Sequence, residues 1–404
     1  MDSFAQLPWF LVFSSLAKTI FLIFLVVLPM VSYTVYAERR VSALIQDRLG
    51  PNRTGFPLTL LGFKKDFSPF LGGLGQPVAD AVKFLLKEDF VPAHVNKIYF
   101  WLAPTLAMMP AIITLAAIPF GSTLNVDPLL GPIFRFFGSD FSRGQIPMVV
   151  ADINVGLLFM FAISSIGVYG IVLAGWSSNS KYPFLGGIRS TSQMISYELC
   201  MGLSAVPVLL IAGSTNLGRI VDFQVAKGWL IAPFTAGWPG MGAILLWVPV
   251  VIAFITFTIS MFAETNRLPF DLPESETELV AGYHTEYSSM KFALFFLGEY
   301  TAMIAGSALI VVLFFGGWHL PFIPDGAGQG GLEFLHAIPS WIWGLVNITA
   351  FFGKVALLLF VFIWVRWTLP RFRYDQLMKL GWLYLFEIAL VNIFLTAGIL
   401  AFTK

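Results

Sequence analysis

Glu264, Asp271, Glu274, Glu276, Glu278 and Glu286 place six of the chain's 23 acidic residues within positions 264–286. Carboxylates this close repel one another, and at low dielectric they do not all ionise. Such a group stores and passes protons where it is buried, and is a solvated loop where it is not. Arg267 is the one Lys or Arg within the segment. Apolar runs flank it on both sides, which sets the carboxylates at the edge of a membrane. Asp152, Glu198, Glu299 and Glu387 lie inside apolar runs elsewhere. Ionisable groups at that depth cost about 2.5–3.5 kcal/mol each and usually serve a pathway.

Glu198 follows Gln193, Ser196 and Tyr197 in an otherwise greasy stretch. Its carboxyl can hand on a proton, or can serve only as a hydrogen bond between packed helices. Pro269 and Pro273 interrupt any continuous helix through the acidic segment. A helix beginning at Pro273 would stack Glu274, Glu278 and Glu286 on one stripe. His94, His284, His319 and His336 form no metal-binding spacing, and no nucleophile–base pair is visible. Gly326 to Gly331 matches a dinucleotide fingerprint literally but follows Pro324-Asp325 rather than a strand, so it reads as a loop.

The elements that must position these residues are membrane spans. Hydrophobic residues make up 57% of the chain and charged ones 12%, about half the charge of a soluble domain. An all-α polytopic bundle follows, a single integral membrane domain over 1–404. Its eight spans are expected near 10–36, 99–120, 150–175, 193–214, 241–263, 290–315, 341–366 and 382–402. The first is long enough to cross and lacks a basic leader, so no cleavable signal peptide is expected. A net charge of +1 gives no reason to expect nucleic acid as a partner, and the single cysteine, Cys200, closes no intrachain disulfide. Sixteen Lys and Arg fall in one set of loops, against Arg135, Arg143, Arg219 and Lys227 in the other, with Lys404 at the end. The positive-inside rule then predicts both termini outside and the acidic segment facing the cytoplasm. Between Gln76 and Glu88, Val78, Val82, Leu85 and Leu86 share one helical face while Asp80, Lys83 and Lys87 lie off it. This is the pattern of an amphipathic helix lying on the bilayer surface, as an anchor, a docking site or a doorway.

The run Glu264-Thr-Asn-Arg-Leu-Pro-Phe-Asp-Leu-Pro-Glu-Ser-Glu-Thr-Glu-Leu-Val-Ala-Gly-Tyr-His-Thr-Glu-Tyr-Ser288 resembles the signature of the H-type membrane subunit of bacterial respiratory complex I. Its mitochondrial counterpart is chain 1 of NADH–ubiquinone oxidoreductase. Glu38-Arg39-Arg40, Asp47 to Arg53, Gly175 to Tyr182, Arg189 to Glu198 and Pro370 to Leu377 resemble the same family in order. The resemblance implies an inner-membrane subunit that joins the hydrophilic and membrane arms, surrounded by lipid. It would enclose much of a quinone cavity, with FMN and iron–sulfur clusters in partner subunits and no metal of its own. By the same resemblance Glu38, Arg39, Asp80, Phe270 and Arg371 would border the quinone, and Lys83 would lie on the helix at the cavity mouth. Glu198, Glu264, Glu276, Glu278 and Glu299 would form the proton path, with Glu274 and Glu286 from the acidic stripe. Two departures stand out: an expansion between Thr54 and Gly75, and Glu387 in the last span. A secondary ion transporter is the rival class, but it predicts an internal repeat of the acidic segment that the chain does not show. The related subunit of a membrane-bound hydrogenase is the third reading.

Overall fold

A computed structural model describes residues 8–52, 54, 73–125, 145–232, 241–272, 280–320 and 340–403. Among these, eight helices are long and apolar enough to cross a bilayer. The first combines α1 (Pro8–Ile20) and α2 (Leu28–Ile45), joined through a π-helical turn at Phe21–Val27. Next come the short surface helix α3 (Gln76–Leu86), then α4 (Lys97–Thr114), α5 (Gly156–Ser177) and α6 (Lys181–Ala212). The short α7 (Leu217–Lys227) leads to α8 (Met241–Glu264), α9 (Ser289–Phe314) and α10 (Ser340–Thr368). α11 (Tyr374–Lys379) runs through another π turn into α12 (Phe386–Thr403). A two-residue antiparallel ladder, Leu124–Asn125 with Gln145–Ile146, is the one departure from an all-α fold among the described residues.

Outward-facing Leu25, Phe360 and Phe394 are 53–71% exposed, as lipid-facing positions must be. α9 is the centre of the bundle: 78% of its apolar window is buried, against 22–50% for the other spans. Close approach elsewhere depends on small residues. A Cβ on Gly170 of α5 would sit 2.5 Å from the Ala107 nitrogen of α4. One on Gly186 of α6 would meet the Gly282–Tyr283 backbone at 2.8 Å.

Several boundaries differ from the sequence expectation because hydropathy reports the bilayer, whereas helical hydrogen bonding continues past it. α2 runs on to Ile45, so Glu38 and Arg39 are helical. α6 starts at Lys181 rather than near 193; its 32 residues span about 48 Å and overrun a ~30 Å hydrocarbon core. Asp152 precedes α5 and accepts a hydrogen bond from Asn216 Nδ2 at 2.7 Å, so it is not inside a span. Glu387 is exposed on α12, and nothing in the structure explains it.

The carboxylate stripe fails at its far end. Gly282–His284 is a single 3-10 turn, entered through Val280 at φ 68° and Gly282 at φ 59°, and Glu286 lies in the turn after it. Positive φ ends an α-helix, so Glu286 cannot continue one that starts at Pro273. Glu274, Glu276, Glu278, most of the 54–75 expansion and the 326–331 glycine run lie outside the described residues.

Candidate functional site

Side chains from four separate stretches meet at one end of the bundle. Glu38 on α2 is 7% exposed and takes hydrogen bonds on both oxygens. Arg366 Nη1, from the last turn of α10, donates to Oε1, and the Tyr300 hydroxyl of α9 donates to Oε2. Arg267 Nη1 lies 3.9 Å from the same Oε2, and its Nη2 lies 3.6 Å from Glu299 Oε2. The Arg267 guanidinium sits over the Tyr300 ring, 4.1 Å from its centroid. Tyr283 donates to Glu299 Oε1 at 2.8 Å, and Arg371 Nη2 donates to Asp271 Oδ2 at 3.1 Å. Burial pushes the Asp271 carboxyl up to about 6, against the opposing pull of Arg371, Arg366 and Arg267. Three carboxylates thus face three guanidinium groups, the balance that makes buried charge tolerable.

The loop carrying Arg267 and Asp271 is pinned to α6 by Gln193. Gln193 Nε2 reaches the carbonyls of Ala263 at 2.8 Å and Phe270 at 2.9 Å, and Asn266 Oδ1 at 3.1 Å. The Phe270 ring is buried between Tyr197 and Phe372, 5.5 and 5.4 Å centroid to centroid. The Phe372 amide bonds the Pro269 carbonyl at 3.1 Å, which joins the segment carrying Arg371 to the same loop.

Next to this cluster a cavity of about 110 Å³ opens between α4, α5, α6, α8 and α9. Glu264 and Glu299 both line it, among Met160, Met194, Met201, Met261 and Phe295. Glu264 is 7% exposed, and its Oε2 meets no hydrogen-bond partner among the described residues. A buried carboxylate oxygen left in this state at the wall of a cavity is placed to hold water or a proton. Glu198 on α6 faces α5, where the Ser165 hydroxyl donates to it beside the cavity-lining Ser164. The cavity has room for several waters at about 10–15 Å³ each, with Glu264 and Glu299 both on its wall.

Glu38, Glu198, Glu264, Phe270, Glu299 and Arg371 therefore lie in or beside one region. Arg39 and Asp80 pair with each other at 2.8 Å on the exposed flank, joining α2 to α3, which also carries Lys83. Glu286 is half-buried and takes no part in the cluster's ion pairs among the described residues.

Arg267 is not the sole cation, as the segment alone would imply, because α10 and the stretch after it bring in Arg366 and Arg371. Sequence reasoning also passed over Tyr283, Tyr300 and Arg366 as site residues. Tyr300 had a local signal, since it adjoins Glu299 and points about 100° away around the helix, towards Glu38. Arg366, a lone cation ending an apolar run, is indistinguishable in sequence from an anchor at the membrane surface.

The chain is 47% identical over 385 residues to the first of the numbered H subunits of NADH-quinone oxidoreductase from Geobacter metallireducens, covering 95% of this chain and 96% of that protein. Against the second such H subunit of Koribacter versatilis it is 45% identical over 386 residues, with coverage of 95% and 96%. The NADH-quinone oxidoreductase H subunit of Ehrlichia ruminantium shares 46% over 387 residues, or 95% of this chain and 89% of that one. A family model described as NADH dehydrogenase matches residues 17–397. The likeness carried by Glu264–Ser288 thus extends over nearly the whole length, and this multi-pass membrane protein belongs to the NADH dehydrogenase family.

Proposed function

We propose that this chain is the membrane subunit of a NADH-quinone oxidoreductase that borders the quinone and couples its reduction to proton movement. Partner subunits of the hydrophilic arm would hold FMN and the iron–sulfur clusters that supply electrons. In this reading Glu38, Phe270 and Arg371, with Arg366 and Asp271, form the wall nearest the quinone, while α3 with Arg39 and Asp80 borders its way in. The quinone takes up two electrons and two protons, and the charge change is felt by the Glu38–Arg267–Glu299 network. Glu299, Glu264 and Glu198 then exchange protons through the cavity towards the membrane interior. Glu274, Glu276 and Glu278 would feed the same path.

The observation that carries this reading is a charge-balanced buried cluster continuous with an intramembrane cavity, at whose wall Glu264 Oε2 has no partner among the described residues. Glu264→Gln keeps the size and removes the titratable proton. The expected outcome is normal assembly and intact electron transfer from NADH to an artificial acceptor, with quinone reduction and proton pumping lost together. Full pumping in that complex would remove Glu264 from the path. The sixteen-to-four loop asymmetry supports both termini outside. Cysteine at Leu49 should then be labelled only from the cytoplasmic side and at Lys227 only from outside, with buried Cys200 silent. Labelling in the opposite sense reverses the orientation.

A further inference from the structure

Helix α3 has no buried residue, so packing does not hold it on the bundle. Its apolar row, Val78, Val82, Leu85 and Leu86, is turned outward and 44–82% exposed. Polar fastenings at its two ends must therefore set its position, and they are unequal. At its start Gln76 Oε1 accepts from the Thr54 hydroxyl at 2.8 Å. In the second turn Asp80 accepts from Arg39 Nη1 at 2.8 Å, with the two ion-pair side chains 26% and 51% exposed. A pair so open to water contributes about 0–1 kcal/mol.

Beyond the last turn, both oxygens of Asp89 accept from Lys291 Nζ at 2.7 Å. The Lys291 side chain is 4% exposed, and its ammonium lies 3.9 Å over the Trp101 ring. The Ser289 hydroxyl lies 3.0 Å from the carbonyls of both Phe84 and Lys87, and Ser288 donates to the Glu88 carbonyl at 3.2 Å. All three residues open α9, the helix that carries Glu299 and Tyr300 about two turns further on.

We propose that Lys291 is a positioning residue for quinone reduction. It clamps the C-terminal end of α3 to the start of α9, so that α3 is fixed there and its Asp80 end is held against Arg39, the neighbour of Glu38. This rests on the reading of α3 as the border of the quinone's way in. Lys291 touches no reacting atom; it acts through the placement of α3.

The exposure of the two partners makes their removal unequal. Asp89→Asn leaves a buried ammonium without its counter-charge, whereas Lys291→Met leaves Asp89, which is 38% exposed, for water to solvate. Asp89→Asn should therefore lower complex yield more than Lys291→Met, and adding Lys291→Met to Asp89→Asn should restore part of that yield.

The test is made on the assembled complex in membranes, with decylubiquinone as substrate and hydrogen exchange read on residues 76–86. Lys291→Met should speed α3 exchange by about tenfold, the mark of a local fastening released. It should also raise KM for decylubiquinone by roughly threefold or more at nearly unchanged kcat, as expected when placement rather than chemistry is disturbed. Lys291→Arg, which keeps a cation on Asp89, should return both to the wild-type values. Unchanged exchange in Lys291→Met overturns the clamp, and faster exchange with an unmoved KM overturns its role in the reaction. Exchange and its rescue by arginine involve no quinone. Failure of the quinone reading shows separately, as an assembled wild-type complex that oxidises NADH with an artificial acceptor yet reduces no decylubiquinone.

Discussion

Two half-buried cations of α10, Arg366 and Lys354, face opposite ends of α9, and the structure treats them differently. At one end Arg366 meets Glu38, and Tyr300 and Arg267 meet the same carboxylate. At the other end Lys354 of α10 donates to the carbonyls of Phe315 at 2.9 Å, Gly317 at 2.8 Å and His319, and lies 4.3 Å over the Trp229 ring. Gln224 adds bonds to the Val312 and Leu313 carbonyls at 2.7 and 3.3 Å. That second arrangement closes the C-terminus of α9, satisfying carbonyls that the helix leaves unpaired and placing a positive charge at the negative end of its dipole. Backbone carbonyls do not titrate in the physiological range, whereas a carboxylate such as that of Asp271 can take up a proton. Burial of a charge is thus no sign of chemistry by itself; the partner decides whether protons can move.

The largest effect expected from that contrast is Arg366→Met. Removing one partner of a buried pair costs about 3–5 kcal/mol, and losing only about 1.4 kcal/mol of this at the transition state slows the reaction tenfold. Quinone reductase activity per assembled complex should fall at least that far, with NADH oxidation by an artificial acceptor intact. A wild-type rate would make the Glu38 cluster a scaffold like its counterpart and erase the distinction.

Lys354→Met should act in the complementary way. Charge-assisted bonds contribute about 1.5–3 kcal/mol each before repacking, so complex yield and thermal stability should drop clearly. Activity per assembled complex should not change. A fall in specific activity at normal yield would place Lys354 in the coupling machinery.

A smaller effect follows from Asp271, whose carboxyl is raised by burial to about 6. Its pairing with Arg371 is present above that pH and lost below it. Because the folded state binds this proton more tightly than the unfolded chain, protonation between about pH 6 and 4 stabilises the fold with respect to this group. A decline in quinone reduction from about pH 7 to 5.5 would then be loss of the ion pair and not unfolding. Asp271→Asn should give a lowered rate that is flat across this window, measured as a pH profile beside a melting curve. A profile still falling in Asp271→Asn assigns the acid limb to another group.

Much of this was legible locally. Eight spans follow from windows of hydropathy, and the outward row of α3 follows from spacing along one helix, because both are properties of a few consecutive residues. The positions of Glu198, Glu264 and Glu299 stood out because a carboxyl in an apolar run is costly wherever it lies. Glu286 shows where local reasoning ended: the stripe assumed an α-helix, and backbone at positive φ on Val280 and Gly282 replaced it with a turn.

Composition and the order of residues by themselves determined that this chain crosses the membrane and where its acidic groups enter it. Only the tertiary structure decided which charges meet. Glu38 and Arg366 stand 328 positions apart, and Lys291 and Asp89 stand 202 apart. Their meeting depends on close packing, such as α5 on α4 at Gly170 and α6 on the Tyr283 turn at Gly186, and on the loop that Gln193 pins. Hydrophobic burial is non-directional and shows in any window of sequence. An ion pair needs its two groups within about 4 Å, a distance that the packing of the whole bundle sets.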